Sequence, residues 1–140
     1  MASFNKFNCF VADVANKVHN LGSDTLKLAL TDSAPVATNT VLANITQITA
    51  ANGYSSGGAT VSISSSTQSS GTYKLIPASN PVWTASGGSI AQFRYVVLYN
   101  STPGSGNLIG WWDIGSETNI GSGNTFTPNL DATNGILQLA

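Results

Sequence analysis

Ile90-Ala-Gln-Phe-Arg-Tyr-Val-Val-Leu-Tyr-Asn100 is the stretch that decides the fold. In an extended chain Phe93, Tyr95, Val97 and Tyr99 fall on one side, and Arg94, Val96 and Leu98 on the other. β-Branched and aromatic residues dominate it, and neither Gly nor Pro interrupts it. A strand with one wet face alternates apolar with polar residues, but this one is largely apolar on both. It therefore belongs in the middle of a sheet, covered on each side. Downstream, Ser101 to Asn107 supplies Pro103, Gly104 and Gly106 for a turn. Leu108 to Ile114 then returns as a hairpin partner. Trp111 and Trp112 are neighbours on that partner, so they point to opposite faces.

Working outward, the same texture recurs. Thr25 to Thr31 alternates, with Leu26, Leu28 and Leu30 on one face. Thr60 to Ser64 does so with Val61 and Ile63, and Ser64 to Ser70 reads as a loop or the end of a solvent-facing strand. Thr72 to Ile76, Val82 to Ala85, Asn124 to Pro128 and Gly135 to Leu139 are further short strands between turn clusters. Val41 to Thr49 fits either a helical turn or a strand. The first residues differ. Phe4, Phe7, Val11, Val14, Val18 and Leu21 recur every three or four positions, which predicts one face of an amphipathic helix. Ser3 is placed as its N-cap and Gly22 as the left-handed residue that ends it. These readings combine into a mainly β fold, an antiparallel β-sandwich or barrel-like domain with one N-terminal amphipathic α-helix. The expected organisation is a single domain over 1–140, with the helix in 1–22 and the β-sandwich in 23–140.

Composition narrows the function. Of 140 residues only 8% are charged, and five basic against six acidic side chains leave a net charge of −1. Ser, Thr, Asn and Gly number 18, 15, 14 and 14, so the surface must be covered by neutral polar groups. Five scattered cations cannot build the field that holds nucleic acid or an anionic membrane. One cysteine cannot form an intramolecular disulfide. The longest apolar run near the start, Cys9 to Ala12, is too short for a secretory or membrane segment.

Residues able to carry chemistry are few. His19 is the only histidine and is expected at the surface, near a helix C-terminus. Cys9 lies among apolar neighbours and reads as a small hydrophobe. No Gly-x-Ser-x-Gly elbow marks a nucleophile for a triad, and together His19 and Cys9 fall short of a four-ligand zinc site. Asp113 and Glu117 follow the two tryptophans and are the nearest carboxylate pair for glycoside chemistry, but a charge pair at a strand end in a polar loop accounts for them better. Gly104-Ser-Gly106 and Gly121-Ser-Gly123 lack the continuation of a phosphate loop and read as turns. No enzyme, cofactor or metal site is therefore expected.

The stretch Ala85 to Asn100 with Leu108-Ile-Gly-Trp-Trp-Asp113 carries a resemblance. So do Phe4-Asn-Lys-Phe7, Lys17-Val-His-Asn-Leu-Gly-Ser-Asp-Thr-Leu-Lys27 and Leu28-Ala-Leu-Thr-Asp-Ser-Ala-Pro35. Together they resemble a family of small β-rich virion structural proteins of tailed bacteriophages, encoded near the major capsid protein and taken to be capsid decoration or cement proteins. The resemblance runs along nearly the whole chain and brings no catalytic residues. It implies a protein made in the host cytoplasm that ends on the capsid surface, with the major capsid protein as partner and a homo-oligomer, dimer or trimer, as its state there. Phe4, Phe7, Val11, Val14, Val18 and Leu21, with Trp111 and Trp112, are the candidate interface residues. Two other roles fit the composition: a tail, head–tail junction or fibre-base component, and a glycan-binding adhesion module on the virion.

Overall fold

The computed structural model describes residues 3–140. In chain order the elements are β1 (Phe4–Lys6), α1 (Cys9–Ala15), β2 (Leu26–Thr31), a 3-10 turn (Leu42–Asn44), β3 (Ala59–Ser69), β4 (Thr72–Ser79), β5 (Trp83–Thr84), β6 (Ile90–Asn100), β7 (Asn107–Ile120), β8 (Thr125–Phe126) and β9 (Leu137–Leu139). Seven strands form one antiparallel sheet in the order β1-β7-β6-β2-β3-β4-β9, which curls into a nearly closed, barrel-like body. Of the two expected architectures, the barrel is the one adopted. β6 sits centrally between β7 and β2, as its two apolar faces require.

Those faces bury two clusters. Inside the curl, Leu26, Leu28 and Leu30 of β2 meet Phe93, Val96 and Leu98 of β6, with Ile109 and Trp112 of β7. On the outer face Val97 and Tyr99 pack with Ala29, Leu108, Phe7 and Ile45, under cover of the segment around Leu42. Simple alternation places Phe93 with Val97, but the structure places it with Val96. Register breaks on either side of Phe93 account for this. Ile90 faces Ile120 and Phe93 faces Thr118, yet Tyr95 already faces Asp113. β7 absorbs the excess between Asp113 and Thr118, where Gly115 takes φ +97°. A bulge of this kind bends the strand and tightens the local twist, which helps the sheet curl. An ion pair pins it: Arg94 donates from Nε to Asp113 Oδ1 (2.8 Å) and from Nη2 to Oδ2 (3.1 Å), and Gly115 N–H donates to Oδ1. That guanidinium, then the Gly115 N–H, hold the Asp113 carboxyl below its usual pKa. Asp113 is thus paired with Arg94 rather than with Glu117.

The helix expected over 1–22 is much shorter, and it does not open the chain. Phe4–Lys6 is a strand on β7, with Phe4 opposite Trp112 and Lys6 opposite Gly110. The helix starts behind it, at Cys9, and ends at Ala15. Ser3 does not cap it. Asn8 holds the N-cap position without a side-chain cap bond, and Lys17, not Gly22, takes the left-handed conformation at φ 63°. Two forces explain the difference. Phe, Val, Asn and Cys are indifferent helix formers, and Phe4 gains more by lying on Trp112 (5.2 Å, edge-on) than on a helix face. The resulting α1 and its following loop lie where β6 ends and β7 and β2 begin, and Phe10 and Leu21 enter the interior cluster there. At the other end the β5–β8 ribbon brings Trp83 and Phe126 against Phe93.

Candidate functional site

The sheet ends on β1 and β9, and between β1 and the end of β4, past the stretch that β9 pairs, lies a cleft of about 600 Å³. One wall is β1 and β7. Phe4 and Trp112 both face the curl's interior, and Phe4 leans over Gly110, where a Cβ would fall 2.2 Å from its ring. That glycine is what lets the aromatic ring lie flat on β7. The opposite wall is the end of β4, Pro77 to Ser79, and the segment Asn129 to Ile136. Leu130 and Ile136 turn inward and are nearly fully buried, so the floor is apolar. The lip is polar: Ser79, Asn80, Asn129 and Asp131. Asn80 Oδ1 accepts the Leu130 N–H (3.3 Å), leaving its own N–H₂ free to point elsewhere. Among the described residues the side chains of Ser79 and Asn129 make no hydrogen bond. Asp131 is committed to its own turn, accepting from the N–H groups of Thr133 and Asn134 (both 2.8 Å) and from the Asn134 side chain, contacts that lower its pKa.

A second polar cluster sits at the helix end of the body. His19 is buried, contrary to the expectation of a surface imidazole. Asn100, also buried, donates one amide hydrogen to His19 Nδ1 (3.0 Å) and the other to Asp24 Oδ2 (2.6 Å), while its Oδ1 accepts from Thr102 N–H (3.0 Å). An accepting Nδ1 puts the proton of the neutral ring on Nε2. Among the described residues Nε2 has no hydrogen-bond partner, and Asp13 Oδ2 lies 3.8 Å away. Burial pushes the His19 pKa below 6.5, and the carboxylates of Asp13 and Asp24 only partly oppose it. With its imidazole neutral, the cluster clamps the loop after α1 to the end of β6.

The residues proposed for an interface separate. Phe4 and Trp112 come together at the cleft. Phe7, fully buried, meets Trp111 on the outer face of the sheet at 4.5 Å. Val14 and Leu21 pack on the interior cluster, and Val18 is half-buried. Val11 alone of the eight projects into solvent, 57% exposed. Cys9 is half-buried with its thiol toward backbone carbonyls of Asn39, Thr40 and Leu108, and burial, with Asp13 adding to it, raises its pKa. Ser79, Asn80 and Asn129 were not singled out in the sequence, where nothing separates them from the other neutral polar residues.

No group of three or more His, Cys, Asp or Glu able to hold a metal occurs among the described residues, and no helix among them is long and apolar enough to cross a membrane. Compared with family models, with curated proteins and with solved structures, the chain matches none.

Proposed function

We propose that the chain is a non-enzymatic structural protein of a tailed-phage virion, a capsid cement or decoration protein that binds the outer surface of the major capsid protein lattice. The observation that carries the reading joins sequence to fold. The segments that resemble the phage family, around Phe4–Phe7, Lys17–Pro35, Ala85–Asn100 and Leu108–Asp113, supply β1, β2, β6 and much of β7. In the sheet these four strands are consecutive, β1-β7-β6-β2. The resemblance thus follows one continuous structural spine rather than scattered turns.

The physical character of the body suits the role. A cement protein must present a rigid, weakly charged surface to many equivalent lattice positions, and here a two-sided core stiffens a surface of Ser, Thr and Asn. Val11, with the half-buried Phe4, Val14, Val18 and Trp111, is what the predicted interface offers to a capsid from solvent. On the capsid a dimer or trimer follows from the lattice symmetry.

Gold labelling of purified virions with an antibody to the protein tests this by electron microscopy. Label over the head, with particles lacking the protein losing DNA at lower temperature, is the expected result. Label confined to the tail, or particles of unchanged heat resistance, would overturn it.

A further inference from the structure

We infer that the cleft between β1 and β4 is a binding site for a neutral saccharide. The inference goes beyond the proposed virion role and does not depend on it. Sites for small polar ligands are concave, with apolar walls and a few convergent polar groups, in cavities of roughly 300–1,000 Å³. The cleft is concave and of this size, but its accessible surface is mostly polar: the half-buried Phe4 is its exposed aromatic, backed by the buried Trp112 and Leu130, and Ser79, Asn80 and Asn129 form the lip. A pyranose presents the matching surface, C–H groups for an aromatic wall and hydroxyls that both donate and accept. Amides and hydroxyls complement such groups because they too do both.

Charge selects the ligand class. Among the described residues no Lys or Arg lines the cleft, and Lys74, the cation that acts on it, does so through Asp131, which disfavours a phosphate, sulfate or sialic acid carboxylate. The one carboxylate, Asp131, already accepts from its own turn. An added β-strand is the competing occupant, since β1 and the end of β4 that β9 leaves unpaired flank the cleft. Three features disfavour it. Pro77 has no N–H to donate, β1 is only three residues long and ends on Lys6, and the Leu75 carbonyl of β4 is already taken by Ile136 N–H (2.7 Å).

The experiment uses the full chain and ligand-observed NMR against hexoses, N-acetylhexosamines and their short oligomers, with sialic acid and an extended neutral peptide as comparisons. Tryptophan emission is followed in parallel, because Trp112 forms part of the wall. The expected result is saturable binding of at least one neutral sugar, weakened about tenfold in Ser79→Ala/Asn129→Ala through the loss of two hydrogen bonds. Neither side chain has a hydrogen-bond partner among the described residues, so this variant should keep the fold, which its unchanged melting curve verifies. Ser79→Trp, which fills the mouth, should abolish binding. The inference is overturned by an absence of neutral-sugar binding across the panel, by sugar binding that both variants leave intact, or by binding of the peptide or the sialic acid alone.

Discussion

Replacing Asn100 with Ala tests whether the buried amide holds the helix end of the molecule together. Asn100 is fully buried and uses three of its four hydrogen-bonding capacities on His19, Asp24 and Thr102. Deleting the side chain removes two bonds between neutral groups, about 1 kcal/mol each, and one to a carboxylate, about 2 kcal/mol. Asp24 and Thr102 reach water and recover part of their loss. His19 Nδ1 does not, since its ring side chain is wholly enclosed. The net cost should be about 3 kcal/mol, which for a chain of this size lowers Tm by about 10 °C. Urea unfolding at pH 7.5, followed by tryptophan emission, measures it as a shift in midpoint at constant slope. His19→Phe, made alone and together with Asn100→Ala, completes a cycle in which the pair should couple by about 1 kcal/mol. A loss below about 1 kcal/mol for Asn100→Ala, or strict additivity in the cycle, would refute the clamp.

The same cluster makes stability depend on pH. His19 has a folded-state pKa below its unfolded value of 6.5, so its contribution is complete above that pH and is lost as pH falls toward the folded value. Urea midpoints between pH 7.5 and 5.5 should fall in the wild type and stay flatter in His19→Phe. Gly110→Ala would put a Cβ 2.2 Å from the Phe4 ring and 2.7 Å from the Asn5 carbonyl; displacement of β1 should cost about 1–3 kcal/mol in thermal melts. Phe7→Ala, which empties a fully buried site, should cost about 3–5 kcal/mol. Val11→Ser, on the exposed side of α1, should stay within about 0.5 kcal/mol, and equal effects for Phe7→Ala and Val11→Ser would mean the two share a helix face after all.

The strands were legible where composition and period agreed. β6 runs from Ile90 to Asn100 as its side chains imply, and Leu26, Leu28 and Leu30 share the buried face that alternation assigns them. The Ser-rich run after Ser64 continues β3, because its partner β4 supplies the pairing that a hydroxyl-rich sequence cannot advertise. Phe4 to Leu21 misled because a three-and-four spacing also arises when a short strand, a turn and a two-turn helix each bury one or two apolar groups. Phe7 is buried against β7, and Phe4 packs on it, more than a hundred residues away, and no local window contains that partner. His19 and Asn100 are separated by 81 positions, and nothing adjacent to either marks it as buried. The cleft was illegible for the same reason: its walls come from residues 4, 77–80, 112 and 129–136.

The strand order also dictates when the molecule can form during its synthesis. β2, β3 and β4 are made early and can pair as a meander, but β2 must wait for β6 and β1 for β7. Until residues 90–120 leave the ribosome, the nascent meander carries a bare β2 edge and the uncovered leucines of its inner face. The β6–β7 hairpin is the keystone, since it meets a waiting strand on each side. Slow assembly through distant pairings follows from such an order. Codon changes or truncations that delay this hairpin should expose the early half to chaperones and to aggregation, even when the finished protein is fully stable.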